Sequence, residues 1–148
     1  MSSEYLHDLF GLEGQAAVVI GGGGVLGGAL CRGLAAAGAH VVVADVAEEA
    51  CKARVAEIER LGGKASWALV DVTKRASIEA LLEEAKKPTG RCDILVNAAG
   101  VNNGTSFLEH TEEWWDRVMA INLKGTFLAC QVFGAHMVER GEGAIVNI

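Results

Sequence analysis

Ala16-Ala17-Val18-Val19-Ile20-Gly21-Gly22-Gly23-Gly24-Val25-Leu26-Gly27 is the stretch whose reading decides the fold. Its first five residues are apolar, partly β-branched and free of polar alternation, the pattern of a strand buried on both faces. Four glycines end it at once. Residues 25–37 are rich in Ala and Leu and read as a helix, with Gly38 as its stop. A buried strand that passes through a glycine turn into a helix opens a parallel βα unit.

The alternation continues to the end of the chain. Residues 40–44, 64–70, 93–97 and 144–148 read as further strands. Residues 47–61 read as a helix. Thr73 is placed to cap another that runs to about Lys86, and Thr111 caps a long one that runs to about Arg140, with Glu112 and Glu113 at its positive end. Residues 98–108 form a loop by their Gly and Asn content. Strand and helix in regular succession predict an α/β fold, a Rossmann-type doubly wound parallel sheet with helices on both faces. The expected organisation is a single domain over residues 1–148.

Composition narrows the function classes. Apolar residues make up 51% and charged residues 22%, with one Pro, which excludes disordered, collagenous and Pro-rich chains. The formal charge of −6 speaks against nucleic acid as a partner, and the longest basic run, Lys86-Lys87, reads as a helix C-terminus. No apolar run is expected to approach the ~18 residues of a membrane span. Residues 1–10 lack the pattern of a signal peptide. The expectation is a cytoplasmic protein with no membrane partner. Cys31, Cys51, Cys92 and Cys130 are too widely spaced for metal ligands and read as small hydrophobes. No metal site is expected.

Gly22-x-Gly24-x-x-Gly27 matches the dinucleotide fingerprint, in the strand-to-helix context that its mechanism needs. Side chains there would keep a pyrophosphate off the backbone, whereas the helix N-terminus offers it free N–H groups and partial positive charge. Gly27 is expected to let helix and strand pack closely. Asp45, 18 residues after Gly27, ends the second strand beside Val46. A carboxylate there accepts from both ribose hydroxyls of NAD and repels the 2′-phosphate of NADP. Its competing reading is a solvated acid that caps the helix starting near Ala47.

Four further segments carry a family resemblance. Asn97-Ala98-Ala99-Gly100 closes the fourth strand. Asn122 lies in Ile121-Asn122-Leu123-Lys124-Gly125 on the long helix. Asp71-Val72-Thr73 follows the third strand, and Gly143-Ala144-Ile145-Val146-Asn147-Ile148 closes the sequence. In this order and spacing, from about Leu9 onward, the chain resembles the N-terminal half of a short-chain dehydrogenase/reductase. The resemblance implies NAD as cofactor, held by Gly21, Gly22, Gly23, Gly24, Val25, Leu26, Gly27, Asp45, Val46, Asp71, Val72, Asn97, Ala98, Ala99 and Gly100. Asp71 would accept from the adenine amino group, with the Val72 backbone beside it. The backbone from Ala98 to Gly100 would lie along the cofactor ribose. Asn97 would mainly hold the central strands together. Asn122 matches the catalytic Asn whose main-chain carbonyl holds a water in the proton relay. Two positions depart from the family pattern: Ile20 replaces the usual Thr, and Val25 falls where the middle glycine stands. Members that read Gly-Val-Leu-Gly, as Gly24 to Gly27 does, resemble sugar-acid and polyol dehydrogenases of the fructuronate reductase-like group.

The implied activity is hydride transfer between nicotinamide and an alcohol or carbonyl, on a sugar acid or polyol. In the family, a Ser and a Tyr-x-x-x-Lys pair follow the fifth strand. The single tyrosine here is Tyr5, with Leu9 four residues later, and Ser66, Ser77 and Ser106 all precede that strand. The expectation is therefore the cofactor-binding first half of a longer homo-oligomeric enzyme, its sheet truncated after the fifth strand, and inactive on its own. Two rivals remain: a non-catalytic NAD-binding module, and an S-adenosylmethionine methyltransferase, which gives no reason for Asn97 to Gly100. The loop from Val101 to Phe107 borders the expected substrate side, with amides and hydroxyls suited to a polyhydroxylated ligand. Trp114 and Trp115 are expected in core or subunit packing.

Overall fold

The structure is a computed structural model that describes residues 3–148. After a short helix α1 (Ser3–Phe10), strands β1 (Ala16–Ile20), β2 (His40–Asp45), β3 (Lys64–Leu69), β4 (Ile94–Asn97) and β5 (Ala144–Asn147) alternate with helices. These are α2 (Val25–Ala36), α3 (Glu48–Arg60), α4 (Arg75–Lys86), and a long run made of α5 (Glu112–Val118), a π-helical segment (Met119–Gly125) and α6 (Thr126–Arg140). The sheet order is β3-β2-β1-β4-β5, and every neighbouring pair is parallel. This is the doubly wound arrangement expected from the alternation.

The period of the strands sorts their side chains into two cores. Val18, Ile20, Val42, Ala44 and Leu95 face Ile78 and Leu81 of α4 and Leu128, Phe133 and Met137 of α6. Ala17, Val19, Val41, Val43 and Val96 face Cys31 and Ala35 of α2 and Cys51 and Ile58 of α3. All five residues of β1 are buried, as an uninterrupted apolar strand requires. The chain leaves β1 toward β2 on one side and β4 toward β5 on the other. Their carboxyl ends therefore flank a switch point, where sheets of this kind form a crevice.

Several local expectations change. Helix α1 has no counterpart in the sequence reading. Thr73 does not cap α4: Lys74 occupies the N-cap, while the Thr73 hydroxyl and amide both donate to Asp71 Oδ1, at 2.6 and 3.0 Å. An acid two residues upstream offers the turn a stronger acceptor than the hydroxyl can. Thr111 does cap its helix, accepting from the Trp114 amide. The long helix, read as one α-helix, is interrupted by π-helical turns around Asn122. Over one 18-residue window of mean hydropathy 1.3, the run Glu112–Arg140 is long and apolar enough to cross a membrane. Its inward residues Leu128, Ala129, Phe133 and Met137 are nevertheless buried on the sheet and α4, the packing of a core helix.

Asp93 lies just before β4 rather than in it, and is 8% exposed. It accepts from the Ala16 amide at 2.9 Å and pairs with Arg140 at 2.9 Å and Arg91 at 3.0 Å, while Arg140 also donates to the Cys92 carbonyl at 3.0 Å. One carboxylate thus ties the start of β1 and the start of β4 to the end of α6. Without Arg140, Asp93 keeps Arg91 and the Ala16 amide, but the Cys92 carbonyl and one side of the carboxylate lose their donor. Arg140→Met is expected to lower stability by about 1–3 kcal/mol, read from the urea midpoint of unfolding; an unchanged midpoint would refute this role.

Candidate functional site

A cleft of about 430 Å³ opens at the carboxyl ends of β1, β2 and β4. Gly21, Gly24, Asp45, Val46, Asp71, Val72, Ala98, Ala99 and Gly100 line it, together with Thr73, Val101, Arg117 and Ile121. Of the expected cofactor positions, Gly22, Gly23, Val25, Leu26, Gly27 and Asn97 stand behind or beside its surface, as does Asn122.

The glycine turn explains this division. Gly21 has φ +86°, and a Cβ there would lie 2.6 Å from the Ala98 carbonyl oxygen, so the β1 and β4 exits run nearly in contact. A Cβ at Gly27 would lie 2.2 Å from the Gly21 carbonyl oxygen. The close approach expected at Gly27 is thus made to the turn itself rather than to a strand. Gly22 packs down onto Val19, Val43 and Cys31. The Gly23 amide donates to Asp45 Oδ2 at 3.2 Å. Val25 is 92% exposed, so its side chain points away from the turn and leaves the backbone approach open. No side chain caps α2, and its first turn holds no acid. Its leading N–H groups are thus free for an anion.

Asp45 is the hinge between this turn and β2. One carboxylate oxygen accepts from Gly23, and the other accepts from the Ala47 amide at 3.2 Å. The competing reading is met only in part, because Ala47 itself is the N-cap of α3 and receives no side-chain cap. Asp71 forms the next turn in the same way. The Thr73 hydroxyl, then Lys74, hold its carboxyl down at about 2 from an ordinary 3.8. Lys74 Nζ lies 2.9 Å from Oδ2, and the Asp71 amide donates to Ser77. Both acids line the cleft, each oriented by hydrogen bonds from its own turn.

On the opposite wall, Ala98 to Gly100 present backbone to the cleft. Asn97 lies beneath them, 4% exposed, and its Nδ2 donates to Asn147 Oδ1 at 2.8 Å across the β4–β5 pair. Asn122 grips the loop beyond: the Val101 amide donates to its Oδ1 at 2.9 Å, and its Nδ2 donates to the Val101 carbonyl at 3.1 Å. Its main-chain carbonyl accepts from the Thr126 hydroxyl at 2.9 Å. π-Helical turns shift the backbone hydrogen-bond register and often mark functional sites.

Sequence reasoning missed Arg117, which lines the cleft from α5. The signal was available, since Arg117 precedes Ile121 by four residues and so shares its helix face. Trp114 and Trp115 are not core residues: Trp115 is 60% exposed, and Trp114 lies beneath Arg117 with 5.2 Å from guanidinium carbon to ring centroid. In the expected substrate loop, Thr105 donates to Asn103 Oδ1 at 2.8 Å, while Asn103 Nδ2 is buried without a partner. The thiols of Cys31 and Cys92 are pushed up to about 12, chiefly by burial, consistent with their reading as small hydrophobes. Among the described residues no group of three or more His, Cys, Asp or Glu could hold a metal ion.

Comparison with known proteins gives a consistent picture. A sequence profile described as short chain dehydrogenase matches residues 15–148. The 5-keto-D-gluconate 5-reductase of Escherichia coli (strain K12) is 34% identical over 143 residues, covering 97% of this chain and 56% of the relative. The D-threitol dehydrogenase of Mycolicibacterium smegmatis is 38% identical over 139 residues, covering 94% of this chain and 54% of the relative. The crystal structure of a metagenomic short-chain oxidoreductase in complex with NADP has a TM-score of 0.84 and 35% identity, covering 92% of this chain and 62% of that one. The chain spans about half the length of the curated relatives it matches.

Two outcomes test this geometry. Gly27→Ala forces α2 off the turn and is expected to cost about 2 kcal/mol or more. Gly33→Ala, in the same helix with nothing within 4 Å of its Cβ, is expected to gain about 0.5–1 kcal/mol; urea unfolding compares the two. Asp71 has its folded pKa below the unfolded one, so its contribution is present above pH 3.8 and is lost as pH falls through about 2. The stability gap between wild type and Asp71→Asn is expected to stay constant above that window and close within it, followed by thermal unfolding at stepped pH.

Proposed function

The chain belongs to the short-chain dehydrogenase family, and from that premise we propose that its cleft binds NAD in an oxidoreductase acting on an alcohol or carbonyl group. The observation that carries this reading is the β1–α2 turn, where two backbone segments leave no room for a Cβ beneath an uncapped helix N-terminus. That cradle fits a pyrophosphate and gives it N–H donors without a side chain in the way. When bound, the nicotinamide supplies or accepts a hydride. The chain's own residues hold the nucleotide: Gly21 and Gly24 admit the phosphates, the Ala98 to Gly100 backbone borders the ribose, and Asp71 with Val72 receives adenine. Asn97 keeps that wall in place through Asn147. Asn122 positions Val101 with its side chain and offers its carbonyl to a proton-relay water.

Preference for NAD over NADP rests on Asp45. Its carboxylate lines the cleft and is fixed by two backbone amides, which suits it to accept from ribose hydroxyls. A 2′-phosphate there would meet like charge. The relative solved with NADP shows that the fold alone does not decide this.

The substrate reading is a sugar acid or polyol. Support comes from the names of two relatives, 5-keto-D-gluconate 5-reductase and D-threitol dehydrogenase, and from the amide and hydroxyl content of the loop that Asn103 and Thr105 brace. The family's proton carrier, Tyr-x-x-x-Lys, has no counterpart in these 148 residues. By the family resemblance, these residues are read as one cofactor-binding domain of a cytoplasmic homo-oligomer. The exposed apolar Trp115, Leu123 and Phe127 of the long helix support a subunit contact there.

Isothermal titration of the chain with both cofactors tests the cofactor assignment. NADH is expected to bind at least ~10-fold more tightly than NADPH, and Asp45→Ser to narrow the ratio to within about threefold. Equal binding by wild type would overturn the NAD preference; no binding of either would overturn the nucleotide reading.

A further inference from the structure

Arg117 is absorbed by none of the roles above. It lines the cleft with Asp71, Val72 and Ile121. The spacing of the long helix places it at that end: Ile121 follows it by four residues, and a Cβ on Gly125 would lie 2.7 Å from Val72. Its guanidinium is held over Trp114 at 5.2 Å, and among the described residues no carboxylate lies within ion-pair distance of it. Most other cations at this end of the sheet are spoken for: Lys74 pairs with Asp71, and Arg75 donates to Gln131. An arginine fixed by an aromatic ring but left without an anion presents a planar, weakly hydrated face, suited to stacking on a π-system.

We propose that Arg117 stacks on the adenine ring of the bound nucleotide and closes the cleft opposite Val72. This rests on the nucleotide reading above. Trp114 holds the guanidinium in place beforehand, so little side-chain freedom is lost when the base enters. The phosphates sit at the uncapped α2 N-terminus, at the β1 exit, and are served there by backbone N–H groups rather than by Arg117. The contribution of Arg117 therefore belongs to the base and is independent of the phosphate count.

The test titrates the chain with adenosine, AMP and ADP, for wild type, Arg117→Ala and Arg117→Lys, at low and high salt. Arg117 is exposed, and thermal unfolding checks that each variant is folded. Arg117→Ala is expected to weaken all three ligands by the same factor, about three- to tenfold, with the loss persisting at high salt; Arg117→Lys falls between. Unchanged binding in Arg117→Ala, with wild type binding ADP, overturns the stack and leaves the nucleotide reading standing. A loss confined to AMP and ADP that fades with salt also overturns it, by assigning Arg117 to the phosphates. Failure of wild type to bind ADP overturns the nucleotide reading and the stack with it.

Discussion

The approach of α2 to the β1 turn, where a Cβ at Gly27 would sit 2.2 Å from the Gly21 carbonyl oxygen, is the constraint on which the site depends. It fixes where the helix starts and how its first N–H groups point. The same turn is pressed from the other side, because Gly21 leaves no space toward Ala98. The amides of Gly21 and Gly22 both donate to the Ala44 carbonyl, at 2.8 and 3.1 Å, which anchors the turn to the β2 exit as well. Three strand ends thus meet at one glycine segment, and the crevice between them follows from parallel topology rather than from any one side chain.

The second wall is built differently. Ala98 and Ala99 pack against the two cores, and the loop beyond them is held by Asn122. Its side-chain amide matches the Val101 peptide with one donor and one acceptor, as another strand would. An uninterrupted α-helix and this clamp compete for the geometry of the same residue, and the π-helical turns from Met119 to Gly125 are where the competition is resolved. The Thr126 hydroxyl donates to the Asn122 carbonyl, tying the π-helical segment to the start of α6.

The fold was legible because its signals are local and strong: continuous β-branched runs for β1, β2 and β4, and Gly at the helix ends. The glycine turn and Asp45 were read from residue type and spacing, Asp71 and Ala98 to Gly100 from the family resemblance, and the structure brings Gly21, Gly24, Asp45, Asp71 and Ala98 to Gly100 to one cleft. What escaped depends on contacts between distant segments. The Asp93–Arg140 pair joins residues 47 apart, and no periodicity announces it. The π-helical turns hold Asn122 in its clamp on Val101, a contact that spans 21 residues. Thr73 was misread because two polar side chains, its own and that of Asp71, compete for one turn, and the ionised acid wins. Gly27 was assigned correctly as a close-packing glycine but to the wrong neighbour, since only three-dimensional placement distinguishes the turn from the strand beneath it.

Charge in the cleft completes the argument. Asp45 spends its two oxygens on backbone amides, and Asp71 is bound by Thr73 and Lys74, so neither acid is free to collapse onto the cation across the gap. Arg117 in turn is held by Trp114 rather than by a carboxylate. Charges of both signs line the cleft, each committed to its own turn or helix. A dinucleotide carries both kinds of complement, with hydroxyl and amino donors for the acids and anionic phosphates for the α2 N-terminus. The cleft stays open to such a ligand because its charges are preorganised separately, which keeps the reorganisation needed on binding small.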